Sequence, residues 1–161
     1  PGQFGDNIEK TLRNIEEFIS IDGVEWLPVI QSRYLDIFSF YESCHKLRKL
    51  IGDYPRIAIG TVCKTNKLSF ILQCCSIARR FFPRSWIHAF GLTLNALPKV
   101  KNYINSFDSS AYCFPRLDFK TWCKKYNLKP FPNGKWGGNS PTYLFYFNEY
   151  LKRLTQLVTL D

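Results

Sequence analysis

Four times along this chain a short apolar run ends in small or polar residues, and each time a stretch with helical spacing follows it. The runs are Val24 to Gln31, Arg56 to Cys63, Ser85 to Gly91 and Ile104 to Phe107. The helical stretches are predicted over 34–51, 66–82, 95–103 and near 117–126, with turn residues such as Gly52-Asp53-Tyr54-Pro55 and Pro83 between units. Strands alternating with helices at this interval imply right-handed crossovers and a parallel sheet. The fold class expected is therefore α/β, built of parallel (β/α) units.

Four such units are half of an eight-fold barrel, which typically needs about 250 residues. An open four-stranded sheet would leave edges and a face to be covered. The expectation is the second half of a (β/α)8 TIM-type barrel, with an open α/β domain as the alternative. The first half would come from a missing N-terminal segment or a partner chain. A start at Pro1 and the lack of Met in 161 residues are compatible with a piece of something longer.

Two further segments flank the units. Residues 6–20 read as a helix, with Asp6 as cap, Glu9 completing a capping box and Ile8, Leu12, Ile15, Phe18 and Ile19 as its stripe. Residues 127–139 read as an irregular basic loop. Ser140 and Pro141 then open an amphipathic helix with Leu144, Phe147, Tyr150 or Leu151, Leu154 and Val158 on one side. The organisation expected is a (β/α) region over 1–126, and a loop with a helix over 127–161 packed on the same domain.

Charge narrows the partners. Lys and Arg total 22 against 13 Asp and Glu, a net charge of +9, which favours a polyanion and is equally the signature of a basic soluble surface. The six cysteines, Cys44, Cys63, Cys74, Cys75, Cys113 and Cys123, form no zinc spacing and sit in apolar stretches. Buried free thiols in a reducing compartment are expected. No signal peptide and no apolar run of about 18 residues is seen, so the expected place is the cytoplasm, away from membranes.

In a parallel sheet the carboxyl ends of the strands share one rim, where α/β proteins put their sites. The ends here are Gln31-Ser32, Gly60-Thr61, Phe90-Gly91 and Asp108-Ser109-Ser110. Gln31 offers a carboxamide that can read a purine-like edge. Gly60 permits close approach to the backbone, and Phe90 offers a stacking face. Asp108 is the carboxylate among these tips, able to act as a nucleophile at a sugar carbon or as a hydrogen-bonding group. Taken singly, Asp108 is more often a helix N-cap, Gln31 a loop residue, Gly60 a tight turn and Phe90 core.

A resemblance shifts that balance. Phe107-Asp108-Ser109-Ser110-Ala111-Tyr112 resembles the Phe-Asp-Ser-Ala-Ala-Tyr segment of archaeal tRNA-guanine transglycosylases, and His88-Ala89-Phe90-Gly91 resembles their His-x-Phe-Gly. Pro28-Val29-Ile30-Gln31 is similar to their Pro-Val-Val-Gln, and Ala58-Ile59-Gly60-Thr61 to their Ala-Ile-Gly-Gly. Residues 59–64 and 88–93 look more like the relatives that insert 7-deazaguanine into DNA.

The resemblance implies a pentosyltransferase, in which an aspartate attacks C1′ of a target guanosine, guanine leaves and a free, preQ0-like 7-deazaguanine takes its place. Asp108 would be the nucleophile. Gln31 and the Gly60-Thr61 backbone would bind the incoming base, with Phe90 and Gly91 against its ring. The nucleic-acid partner, DNA or tRNA, would meet Arg116, Lys120, Lys124 and Lys125, which otherwise read as a solvated helix face. No cofactor is expected, and homodimers occur among such enzymes.

Three departures accompany the resemblance. The Asp-Ser-Gly-Gly-Phe type motif that supplies the family's second aspartate does not occur here, and Thr61 stands in place of a glycine. The zinc motif is also missing, since only Cys113 and Cys123 follow Asp108, so no metal is expected. A noncatalytic nucleic-acid-binding half-barrel or subunit is the alternative expectation.

Overall fold

The computed structural model describes residues 4–109, 124 and 140–159. The chain divides into two compact units, Pro1–Asp108 and Ser109–Asp161. In the first, a four-stranded parallel sheet is formed by β1 (Val29–Ile30), β2 (Arg56–Ile59), β3 (Trp86–Ala89) and β4 (Ser106–Phe107), in the spatial order β1-β2-β3-β4. Helices α1 (Phe4–Phe18), α2 (Ile37–Ile51), α3 (Leu68–Phe81) and the short α4 (Leu97–Val100) accompany it. The α/β class and the parallel sheet read from the sequence are what the structure has.

Register explains which side of the sheet is wet. Val29, Ala58, His88 and Ser106 lie side by side across the strands, and Ile30, Ile59, Ala89 and Phe107 form the next row. The second row, with Ile57 and Ile87, supplies side chains that are essentially fully buried from Ile30 to Ala89. They meet the apolar sides of α2 (Phe40, Cys44, Leu47) and α3 (Phe70, Ile71, Cys74, Cys75, Ala78). Right-handed crossovers in a sequentially ordered sheet put α2, α3 and α4 on that one face. The opposite face carries the polar row: Arg56 and Trp86 are exposed there, and His88 and Ser106 are partly so.

Each predicted strand is shorter than its apolar run, for a local reason. Pro28 cannot donate to the ladder, although its carbonyl accepts from Ala58 N at 2.8 Å, and Trp26 instead stacks on Phe18 with ring centroids 5.3 Å apart. Only Val29–Ile30 pair as strand. After Ile59 the chain leaves the sheet through Gly60 into a 3₁₀ turn over Thr61–Lys64. Val62 is apolar because that turn buries it, leaving it 1% exposed. At β3, Gly91 turns the chain away with a positive φ of 62°.

Helix limits shift in the same way. The first helix begins at Phe4, so Asp6 lies inside it and not at its cap. The second begins after Asp36, because Leu35 has a left-handed φ of 55° and Asp36 Oδ1 accepts from the amides of Phe38 and Ser39, both at 3.0 Å. Helix α4 covers Leu97–Val100, the middle of the 95–103 prediction.

One cysteine expectation fails. Cys44, Cys74 and Cys75 are buried free thiols, but Cys63 is exposed, on the 3₁₀ turn, with Sγ 2.9 Å from the Gly60 carbonyl oxygen it donates to. Cys113 and Cys123 lie outside the described residues.

In the second unit, helix α5 spans Ser140–Thr159, starting at the residue read as its cap. Its buried positions include Tyr150 and Leu157, whereas Val158 is exposed, so the buried stripe runs one position earlier than predicted at its end. The predicted helix near 117–126 and loop 127–139 lie outside the described residues, Lys124 apart. Among the described residues no helix is long and apolar enough to cross a membrane.

Candidate active site

Parallel pairing of β3 with β4 sets His88 opposite Ser106, and two residues further on Phe90 and Asp108 emerge on the same polar face. Asp108 keeps the sheet's bonding for one more step: its amide donates to the Ala89 carbonyl at 3.3 Å, and its own carbonyl accepts from Leu92 N at 3.0 Å. The backbone that presents the carboxylate is thus tied to the end of β3 and to the turn that follows it.

The carboxylate is tied as well. Its Oδ1 accepts from the Gly91 amide at 2.8 Å and lies 3.3 Å from His88 Nε2. Among the described residues nothing donates to Oδ2. The Asp108 side chain is 57% exposed while that of His88 is 20% exposed, so the imidazole is enclosed behind a carboxylate that faces solvent. Phe90 closes the other side of the imidazole edge-on, with centroids 4.7 Å apart.

Behind His88 the contacts continue. His88 Nδ1 is 2.9 Å from Ser106 Oγ, and Ser106 Oγ accepts from Trp86 Nε1 at 2.9 Å. His88, Ser106 and Trp86 were absent from the sequence-derived site. The signal that could have found them is the two-residue period of the strands, which sends Trp86, His88 and Phe90, and likewise Ser106 and Asp108, to a single face.

Gly91 has two reasons to be glycine. Its φ is in the left-handed region, and a Cβ there would come within 2.6 Å of Cys63 Cβ. The 3₁₀ turn after β2 therefore leans on the β3 tip. Gly60 is held small by its own neighbour, since a Cβ would sit 2.9 Å from Val29 Cγ1 and 3.5 Å from Gln31 Cγ. Close strand packing accounts for this glycine without a ligand.

The other proposed base contacts sit on the β1–β2 half of the rim. Thr61 Oγ1 accepts from the buried Ser32 amide at 2.8 Å, so its hydroxyl staples the ends of β1 and β2 together. Gln31 is exposed and lines a cleft of about 230 Å³ with Phe18, Trp26 and Pro28. Three strand intervals, about 14 Å on a flat sheet, separate β1 from β4. The structure thus brings Asp108, Phe90 and Gly91 together and places Gln31, Gly60 and Thr61 as a second cluster along the same rim.

No family model matches the sequence, and no curated protein is significantly similar to it.

Asp36, after β1, is the other carboxylate described in a loop leaving the carboxyl end of a strand. It is occupied in capping α2, with Oδ2 3.9 Å from Arg33 Nη1. Among the described residues, no group of three or more His, Cys, Asp or Glu could hold a metal ion. A cleft of about 460 Å³ between α1 and α2, lined by Glu9, Leu12, Arg13 and Lys46 among others, shares no residue with the rim. Lys124 is exposed in the second unit; Arg116, Lys120 and Lys125 lie outside the described residues.

A carboxylate held at one oxygen by a backbone amide and an imidazole nitrogen, in a side chain that is more than half exposed, is oriented and remains nucleophilic. Contacts at Oδ1 restrict the side-chain rotamer, and among the described residues Oδ2 has no donor to lose before it approaches an electrophilic carbon.

Proposed function

We propose that this chain is the C-terminal half of a (β/α)8 barrel that exchanges guanine for a 7-deazaguanine in tRNA or DNA, with Asp108 as the nucleophile. The observation that carries the reading is the Asp108 carboxylate itself, contacted at Oδ1 by the Gly91 amide and His88 Nε2 while its side chain stays 57% exposed. The strand order supports the barrel half, because consecutive strands are neighbours throughout, whereas doubly wound sheets reverse direction at a switch point. The polar face free of α2, α3 and α4 would then look into the barrel, and a preceding segment or a partner chain would complete it.

In the first step Oδ2 of Asp108 attacks C1′ of the target guanosine, the glycosidic bond breaks and guanine departs with that bond's electron pair, taking up a proton. In the second the incoming deazaguanine loses a proton from its ring nitrogen, attacks C1′ and releases the carboxylate. A base touching Gln31 and a sugar carbon at Asp108 would together fill the span between β1 and β4.

A second reading, a noncatalytic nucleic-acid-binding subunit, is favoured by one observation. Asp36 is committed to its helix cap, so no second free carboxylate stands on the rim among the described residues.

The test offers radiolabelled guanine to the protein with bulk tRNA and, separately, with double-stranded DNA, and repeats both with Asp108→Asn. Incorporation into one polymer, lowered about a thousandfold or more by Asp108→Asn, is the expected result. Binding of either polymer with no incorporation would favour the subunit reading.

A further inference from the structure

With the His88 ring neutral, the four side chains Trp86, Ser106, His88 and Asp108 form a line of contacts whose donors and acceptors can be assigned in one way. The indole Nε1–H of Trp86 only donates, so Ser106 Oγ is its acceptor at 2.9 Å. An ionised Asp108 only accepts, so His88 Nε2 must carry a proton to bond Oδ1 at 3.3 Å. A neutral imidazole holds one proton. With Nε2 protonated, Nδ1 is bare, and the Ser106 hydroxyl, 2.9 Å away, donates into it.

We infer that Trp86 and Ser106 are positioning residues that hold His88 as its Nε2–H tautomer and, through it, fix the Asp108 carboxylate by its Oδ1, leaving Oδ2 to react. The role assigned to the carboxylate rests on the reading of Asp108 as the reacting group; the tautomer follows from the contacts of the neutral ring. Strand geometry supplies the alignment. His88 and Ser106 are register partners, and Trp86 lies two residues before His88 on the same face. Phe90, edge-on at 4.7 Å, restrains the ring from turning over.

The arrangement matters because a carboxylate with one free torsion would offer either oxygen at random. Two donors on Oδ1, one from the rigid Gly91 turn and one from a ring that is itself held at its far nitrogen, remove that freedom before substrate arrives.

Ring-¹⁵N histidine labelling tests this directly, since His45 and His88 are the two histidines and the exposed His45 serves as internal reference. Above the pH of ring protonation, His88 is expected to show the Nε2–H pattern and His45 the mixture of a free imidazole. Ser106→Ala and Trp86→Phe should move His88 toward that mixture, and Ser106→Thr, which keeps the hydroxyl, should restore the pattern. In the exchange assay Ser106→Ala should lower kcat about tenfold with KM little changed, with recovery in Ser106→Thr.

A wild-type His88 that is Nδ1–H, or that matches His45, overturns the inference even if guanine exchange is observed. Nε2–H His88 in a protein that exchanges no base supports the inference and rejects the transglycosylase reading instead. The wild-type spectrum decides the tautomer even if a variant does not fold.

Discussion

The Gly91 amide donates to Oδ1 of Asp108 across 2.8 Å, joining the turn that leaves β3 to the residue that follows β4. That bond exists because Gly91 adopts a φ of 62° and lies where a Cβ would collide with Cys63. Gly91→Ala is expected to destabilise the protein by about 2–4 kcal/mol, from backbone strain plus the collision. Urea midpoints would measure it. Adding Cys63→Gly should recover part of the loss, because it removes the 2.6 Å contact with Cys63 Cβ and leaves the strained φ and the 3.2 Å approach to the Cα of residue 63. Full recovery would mean that strain at residue 91 is negligible; none would mean that the packing against Cys63 is not the obstacle.

Thiol reactivity tests how the turn after β2 is laid out. Burial pushes the Cys75 thiol up to about 12 and raises those of Cys44 and Cys74 further still, so these three are protonated and inaccessible at neutral pH. Among these three and Cys63, iodoacetamide is expected to modify Cys63 alone in the native protein. Peptide mapping by mass spectrometry before and after urea unfolding would show it. Native labelling of Cys74 as fast as Cys63 would contradict the packing of α3 on the sheet.

Much of this was legible from local pattern. Apolar runs and helical spacing gave the order of elements, because each run had to be buried by the helix that follows it. Asp108 was legible as a strand-end carboxylate. What pattern could not give was the cross-strand layer: whether Gly60 serves a ligand or makes room for Val29, and whether the Thr61 hydroxyl faces a substrate or the Ser32 amide, are questions about a neighbouring strand. Val62 and Cys63 show the same limit from the other side. An apolar run counts as strand until a 3₁₀ turn is seen to bury one of its residues and expose the next. His88 was present in a motif, yet its role appeared only when β3 was paired with β4 and Ser106 came to its far nitrogen.

Below the opposite end of β3 and β4, Arg79 gathers the chain. Its guanidinium donates to the carbonyls of Tyr103 at 3.1 Å and Ser85 at 2.8 Å and to Asn105 Oδ1 at 2.7 Å, and that same Oδ1 accepts from the Ile87 amide at 2.9 Å. Arg79→Met keeps the length of the stem but leaves these acceptors without their donor, at an expected cost of about 2–4 kcal/mol. Arg79→Lys should recover less than half, because an ammonium cannot span acceptors arranged around a planar fork. Urea denaturation would give the energies, and hydrogen exchange at the Ile87 amide should quicken in both variants. Unchanged exchange there would separate Arg79 from the β3–β4 register.

Asp53 should govern the acid limb of stability. The Arg48 guanidinium, and after it that of Arg84, hydrogen-bond its carboxylate and hold its pKa at about 2, below the ordinary value of 3.8. A depressed folded-state pKa gives stabilisation that is fully present above the unfolded value and is lost as pH falls through the folded one. The contribution of Asp53 should therefore be intact at pH 5 and above, and should fade between about pH 4 and about pH 2. Asp53→Asn should lower the urea midpoint at neutral pH, and the wild-type and variant curves should converge over that interval. Both arginines reach Asp53 at the surface, so added salt should narrow the neutral-pH gap as well. Midpoints that run parallel from pH 6 down to pH 2 would show that Asp53 titrates alike in the folded and unfolded chain, and that the double arginine contact contributes nothing to folding.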